Sequence, residues 1–177
     1  SNNTITFRGN GRTISTSTTN PTIRFNGASW ITLDSFNIVQ SGTTGFGIQI
    51  SNASHHITIK KCSVTVSTTS TATTIAGIVV TNGTYTADGN STYITIDSNV
   101  ITGGYVNLTM FGSTGYTNNY GSRITNNKFL AAYMAAVYVS DADTMVISGN
   151  DISRLGRANW TTGYGIRVDV SRNVKIL

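Results

Sequence analysis

A short apolar motif recurs along the chain and constrains its fold more than any other feature. The segments WITLDSFNI (30–38), HITIKKCSV (56–64) and YITIDSNVI (93–101) each place an alternating apolar strand before a short break and a second apolar position. The central apolar residue recurs at intervals of 23 to 37 residues, at Phe7, Leu33, Ile59, Ile96, Ile124, Ile147 and Ile176. Periods of this length indicate a repeat protein, and unequal periods favour a coil of strands, because its solvent loops tolerate insertions.

Each period contains two further strand signals. The first precedes the ITI motif, as TIRF (22–25), GIQI (47–50), GIVV (77–80), VNLTM (106–110), AVYV (136–139) and GIRV (165–168). The other follows it, as TIS (13–15), NIV (37–39), SVT (63–65), VIT (100–102), KFL (128–130) and DIS (151–153). All alternate apolar and polar residues, the pattern of half-buried strands. Three strands per turn predict an all-β, right-handed, single-stranded parallel β-helix with three parallel sheets and about six rungs.

Composition agrees with this fold. Charged residues make up 11% of the chain, and the seven acidic residues are all Asp. Helix-forming Glu is absent and Lys is scarce, whereas β-branched and turn residues dominate. We expect residues 1–177 to form a single β-helix domain that is incomplete at both ends and continues into further rungs or domains of a longer chain.

Charge and hydropathy narrow the classes of partner. The net charge is +5, but the basic residues are scattered and no nucleic-acid motif accompanies them, so we expect no nucleic-acid partner. No stretch of about 18 apolar residues predicts a membrane span. Cys62 is the single cysteine, which excludes an internal disulfide. His55 and His56 are adjacent, so we expect their side chains on opposite faces of a strand, without a metal site.

The pattern GI-x-V followed by ITI-x-x-N-x-I resembles the parallel β-helix repeat family of pectate-lyase-like proteins, over nearly the whole chain. The segment TIRFNGASWITLDSFNI (22–38) also resembles β-helix segments of large secreted surface proteins of Bacteroidota, which the type IX system exports. These resemblances imply a bacterial protein that is extracellular or bound to the cell surface.

The family resemblance also implies an inward-facing column at the break between the second and third strands. The residues at this position are Phe36, Cys62, Asn99, Asn127 and Asn150. Stacked Asn side chains can hydrogen-bond one another and the turn backbone, so we interpret this ladder as structural. Cys62 is then a small buried residue rather than a nucleophile.

Enzymes of this family act on polysaccharides that lie along the first sheet, so its outward residues are the first candidates for ligand binding. They are Arg24, Gln49, Val79, Asn107 or Thr109, Tyr138, and Arg167 with Asp169. Of these, Arg24, Gln49, Tyr138 and Arg167 could bind sugar hydroxyls or carboxylates. The alternative interpretation is an ordinary solvated sheet face.

The sequence offers few candidates for catalysis. A hydrolase needs an acid and a second carboxylate on this face, and Asp141, Asp143 and Asp169 are the candidates. A lyase needs a base, for which Arg167 is the candidate, and a cation such as Ca²⁺ that neutralises the uronate. The hydrolase and pectate lyase motifs of the family are all missing, so we expect no cofactor, with Ca²⁺ relevant only to a lyase.

Two further surfaces combine aromatic and polar residues. On the second sheet, Thr6, Thr32, Thr58 and Thr95 form a threonine column beside Thr4, Trp30, His56 and Tyr93. This column could bind sugar rings, or its aromatic residues could simply cover the loop that enters the sheet. Among the long loops, residues 154–164 carry the best candidate patch, formed by Arg154, Arg157, Trp160 and Tyr164.

The sequence therefore leaves two functions open. The first is a non-catalytic β-helical segment of a secreted or cell-surface protein, which serves as a stalk, an adhesin or a carbohydrate-binding module. The alternative is a polysaccharide lyase or glycoside hydrolase that acts on an acidic polysaccharide along the first sheet. A polysaccharide or cell-surface glycan is the expected partner in either case.

Overall fold

The computed structural model describes residues 3–114, 119–154 and 163–177, with only the backbone of Ser153 and Arg154. Within these ranges all regular structure is β, and the strands wind into a β-solenoid of about six turns with three parallel sheets. This confirms the predicted three-sheet parallel β-helix. In the described part of the chain, no helix is long and apolar enough to cross a membrane.

Strands are numbered in chain order. The first sheet contains β3 (Ile23–Asn26), β6 (Gly45–Ser51), β9 (Ile75–Val80), β12 (Val106–Phe111), β15 (Ala135–Ser140) and β18 (Tyr164–Asp169). The second sheet contains β1 (Ile5–Arg8), β4 (Ser29–Asp34), β7 (His55–Lys60), β10 (Thr95–Asp97), β13 (Arg123–Thr125), β16 (Val146–Ser148) and β19 (Lys175–Ile176). The third sheet contains β2 (Thr13–Thr16), β5 (Asn37–Gln40), β8 (Ser63–Thr65), β11 (Val100–Thr102), β14 (Lys128–Leu130) and β17 (Asp151–Arg154).

The register of the second sheet matches the spacing of the ITI motif. Phe7 pairs with Leu33, Leu33 with Ile59, and Ile59 with Ile96. The column continues through Ile124, Ile147 and Ile176. Each aligned apolar residue therefore lies one rung, or ~4.8 Å, from the next. The unequal intervals in sequence are absorbed by loops and not by shifts in this register.

One apolar core runs along the inside of the solenoid. Ile48, Ile59, Ile96, Leu108 and Phe129 are among its fully buried side chains. The three sheets contribute alternate residues of each strand to it, as the period-2 pattern predicts. A core that is continuous from rung to rung makes each turn depend on its neighbours for burial.

The ladder predicted between the second and third sheets is present. Asn99 and Asn127 are each 1% exposed, and Cys62 is buried in the same column. The Oδ1 atom of Asn127 accepts hydrogen bonds from the backbone N–H and the Nδ2 of Asn99, both at 3.0 Å, and Asn150 repeats this geometry toward Asn127. The Nδ2 of each ladder Asn also donates to a carbonyl of the preceding rung, those of Ile59, Ile96 and Ile124. Phe36 occupies the same column and packs against the core.

Left-handed backbone conformations set both corners of the second sheet. At the corner that enters it, φ is positive at Trp30, His56, Tyr93, Gly121, Thr144 and Asn173. At the corner that leaves it, φ is positive at Asn10, Ser35, Lys61, Ser98, Asn126 and Gly149. A single residue in this region turns the chain sharply, at a cost of about 1–2 kcal/mol for most side chains. The solenoid repeats this turn on successive rungs and so stacks the corner side chains above one another.

Candidate functional site

The outer face of the first sheet carries the column that the sequence predicted. Arg24 pairs with Gln49, and Gln49 with Val79. Thr109 pairs with both Val79 and Tyr138, so Thr109 rather than Asn107 occupies the fourth position. Tyr138 in turn pairs with Arg167. These residues point away from the main core and lie one above another along the solenoid.

A loop covers the middle of this face, which the strand pattern of the sequence does not predict. The segment 81–92 crosses the sheet, and the Nε2 of Gln49 donates to the carbonyls of Thr81 and Gly83 at 3.4 and 3.2 Å. The hydroxyl of Thr109 donates to the carbonyl of Tyr85 at 2.8 Å. As a result Gln49 is 4% exposed and Tyr138 is 9% exposed. The expectation that both residues would lie on an open face is wrong, because loop atoms satisfy Gln49 and aromatic neighbours cover Tyr138.

The same loop creates a second apolar cluster outside the sheet. Val79, Val106, Ala135 and Tyr138 pack there, and the Tyr85 ring lies against them. Burial raises the pKa of the Tyr85 hydroxyl. The outer face is therefore a packed layer over its central rungs and not a solvated surface.

An open groove begins where this layer ends, at the rungs of Arg24 and Gln49. Its volume is about 640 Å³, and its lining includes Arg24, Phe46, Gln49 and Tyr85. The loops 17–22, 41–46 and 81–86 also contribute, chiefly with Thr side chains. Arg24 is exposed, and it has no ion pair or hydrogen-bond partner among the described residues. We call this depression the Arg24 groove.

At the opposite end of the same column, Arg167 is engaged with its own strand. Its Nη2 and Nε lie 2.7 and 2.9 Å from the Oδ2 of Asp169, which also accepts from the Tyr138 hydroxyl at 3.0 Å. The guanidinium lies over the rings of Tyr138 and Tyr164, 4.5 and 5.3 Å from their centroids. The hydrogen bond to Asp169 raises the pKa of Arg167, so the group stays protonated and is a poor candidate for a lyase base.

The three candidate carboxylates have separate partners. Hydrogen bonds lower the pKa of Asp169, chiefly from Arg167, and that of Asp143, chiefly from Asn173 and then Arg172. Asp141 accepts a hydrogen bond from the Ser140 hydroxyl at 2.8 Å. A glycosidase acid needs a raised pKa so that it holds a proton at working pH. The environments of Asp143 and Asp169 act in the opposite direction.

The predicted loop patch is only partly described. Arg157 and Trp160 lie outside the described residues, and Arg154 is described by its backbone alone, at the end of β17. Tyr164 begins β18 and is 46% exposed. Its ring faces Arg167, which connects this position to the end of the first-sheet column.

The aromatic residues of the second sheet form a continuous stack. Trp30 and His56 are parallel with centroids 3.8 Å apart, and His56 and Tyr93 follow at 4.6 Å. The Nδ1 atoms of His55 and His56 lie 3.0 Å apart. The expectation that these two side chains occupy opposite faces is wrong, since the positive φ of His56 turns its ring toward that of His55. Burial lowers the pKa of His56.

The one thiol and the possible metal ligands of the described residues form no reactive site. Burial raises the pKa of the Cys62 thiol, which lies 3.8 Å from the carbonyl of Leu33 inside the ladder. Among the described residues, no group of three or more His, Cys or Asp side chains could hold a metal ion.

In comparisons with protein-family models, with curated proteins and with solved structures, nothing matches the chain.

Proposed function

We propose that this chain is a non-catalytic, carbohydrate-binding β-helical segment of a secreted or cell-surface protein, and that the Arg24 groove is its binding site. One observation carries the proposal. A guanidinium with no partner among the described residues lies in a depression that also presents aromatic and hydroxyl groups and the exposed amide of Asn82. The volume of this depression, about 640 Å³, falls within the range of small-ligand pockets.

The groove chemistry favours a sugar that carries an anionic group. An arginine binds a carboxylate or sulfate through two parallel hydrogen bonds, and such charge-assisted bonds are about twice as strong as neutral ones. Phe46 and Tyr85 offer apolar surface for the faces of a sugar ring. Thr73 and Thr84 place hydroxyls at the rim, where they can bind sugar hydroxyls.

The same surroundings favour binding over catalysis. None of the described residues that line the groove is a carboxylate. The predicted base, Arg167, is held protonated by Asp169 at the far end of the column. A lyase or hydrolase acting in this groove would need its acid and base from residues beyond those that line it.

We also propose the role of a stalk or adhesin that was inferred from the sequence. A rigid solenoid that presents a glycan site on one face suits a stalk or adhesin, since its rungs hold the loops in fixed positions. Its place in a secreted bacterial surface protein, of the pectate-lyase-like or type IX kind, rests on the sequence resemblance. Further β-helix rungs or domains of the same chain are the expected neighbours.

Isothermal titration with hexagalacturonate and with a heparin-derived hexasaccharide tests the proposal. We expect saturable binding of one of these anionic probes, weakened about 10- to 100-fold by Arg24→Ala, which removes a charge-assisted hydrogen bond worth about 1.5–3 kcal/mol. Arg12→Ala, which removes an exposed arginine outside the groove, serves as the matched control. Equal affinity in the Arg24 and Arg12 variants, or release of shortened products from the probe, would contradict the proposal.

A further inference from the structure

A second groove lies on the outer face of the second sheet, beside the aromatic stack. Its volume is about 320 Å³, and Thr32, Thr58, Trp30, His56 and Tyr93 contribute to its lining. We propose that this groove is a second carbohydrate site, which binds an uncharged sugar ring. The inference extends carbohydrate binding to another face of the solenoid and does not depend on the Arg24 groove.

The floor of the groove is a ladder of threonine hydroxyls. Thr32 pairs with Thr58, and Thr58 with Thr95, so the three side chains repeat once per rung. All three are half-buried, and their hydroxyls donate to no described protein group. By contrast, the hydroxyls of Thr109 and Thr125 are bound by protein acceptors at 2.8 and 2.6 Å. A row of unpartnered hydroxyls, each both donor and acceptor, fits a ligand that itself carries several hydroxyls.

The wall of the groove provides an apolar platform. His56 is stacked between Trp30 and Tyr93, so it can present only the edge of its ring. Among the described residues, the one ring stacked on Trp30 is that of His56, because the equivalent position on the preceding rung is the small and exposed Thr4. The second face of Trp30 therefore borders the groove beside Thr4. A sugar ring has apolar C–H faces and a polar rim, which matches an indole face next to a hydroxyl row.

The groove lacks charge, which separates it from the Arg24 groove. None of the described lining residues is an Asp, Lys or Arg. Burial lowers the pKa of His56, so its imidazole is neutral near pH 7. None of the described lining side chains offers an anionic sugar a cationic partner to offset its lost solvation. Outside the lining on the same face, Lys60 lies 3.7 Å from Asp34, and Arg123 is the rung neighbour of Thr95. The geometry therefore favours a neutral sugar.

Isothermal titration with four neutral probes tests this inference: the hexamers of β-glucan, xylan, mannan and chitin. We expect saturable binding of at least one of them. Thr58→Val should weaken it about threefold to tenfold, because the variant keeps side-chain volume and strand propensity but removes one hydrogen bond worth about 0.5–1.5 kcal/mol. Thr65→Val, a half-buried threonine on the third sheet, is the matched control and should leave the affinity unchanged. Trp30→Ala should abolish binding.

The outcomes separate the two sites. Absence of saturable binding by all four neutral probes would overturn this inference and leave the Arg24 groove unaffected. The inference is also overturned if Thr58→Val binds a neutral probe as tightly as the unsubstituted chain does. Arg24→Ala should weaken an anionic probe and leave a neutral one unchanged. Loss of both by Arg24→Ala would place the neutral sugar in the Arg24 groove and so contradict a second site.

Discussion

The asparagine ladder gives the sharpest test of what holds the solenoid together. Substitution Asn127→Leu keeps the branched shape of the side chain, although Leu is larger than Asn, and removes every hydrogen bond made by this side chain. In the native structure the Asn127 Oδ1 accepts from the backbone N–H of Asn99 at 3.0 Å, and its Nδ2 donates to the carbonyl of Ile96 at 2.8 Å. Because Asn127 is 1% exposed, water cannot replace these partners.

The expected cost follows from the groups that lose a partner. The Asn99 Nδ2 keeps its bond to Ile59, and the Asn150 Oδ1 keeps its bond from the Asn127 N–H. The Asn99 N–H and the Ile96 carbonyl each lose a hydrogen bond in the interior, at about 1–3 kcal/mol per group. Burial of the two leucine methyl groups recovers about 1.6 kcal/mol, at ~0.8 kcal/mol per CH₂ equivalent, whereas overpacking by the larger side chain costs about 1–3 kcal/mol. We therefore expect the free energy of unfolding to fall by about 1.5–7 kcal/mol.

Equilibrium urea unfolding followed by circular dichroism measures this loss as a lower midpoint with an unchanged slope. Asn37→Ala is the control, because Asn37 is exposed and donates one bond, to the Gly11 carbonyl at 2.7 Å. Its cost should stay below about 1 kcal/mol. Equal midpoints for the two variants would refute the argument that the ladder stabilises the fold.

The ladder, one corner glycine and one carboxylate each give a further prediction. Cys62→Asn should raise the urea midpoint, by about 0.5–1.5 kcal/mol of unfolding free energy, because a new amide can donate to the Leu33 carbonyl and extend the ladder; a lower midpoint would contradict it. Gly121→Ala should cost about 1–2 kcal/mol in the same assay, since φ is +67° and a Cβ would collide with the Tyr93 ring, and a neutral result would be inconsistent with this corner geometry. Hydrogen bonds, chiefly from Thr125, lower the pKa of Asp97 below its ordinary 3.8. The ionised Asp97 carboxylate therefore stabilises the folded chain above about pH 4, and this contribution is lost as pH falls through the lowered pKa. Asp97→Asn should accordingly flatten the acid limb of a stability–pH curve.

The fold could be predicted because its signals are local and periodic. Leu33, Ile59 and Ile96 lie in strands with a clear period of two, and a one-residue slip would turn every apolar side chain toward water. Alignment of these residues in the sequence is therefore sufficient to predict the register of the second sheet. The ladder position was expected from the resemblance, and Asn99 and Asn127 are each 1% exposed at that position.

The corners could not be predicted in the same way. Trp30, His56 and Tyr93 all adopt positive φ, a conformation that sequence normally marks with Gly or Asn. Here tertiary context imposes it, because each corner stacks on the one below. This conformation brings the His55 and His56 rings together, which a rule based on alternating strand residues excludes. A signal was nevertheless present, since the three aromatic residues share one position of the repeat.

The longest interval in the repeat explains why the binding surface differs from the sequence prediction. The 37-residue interval from Ile59 to Ile96 includes the segment 81–92, which lies across the first sheet and carries Tyr85. Loop length adds little entropic cost, so a solenoid can take such an insertion without altering the register of its strands. Backbone carbonyls of this insertion accept hydrogen bonds from the side chains of Gln49 and Thr109 and so hold both in place. The edge of the insertion forms one wall of the Arg24 groove. The regular part of the repeat thus builds the scaffold, and the departure from regularity decides which part of the first sheet a ligand can reach.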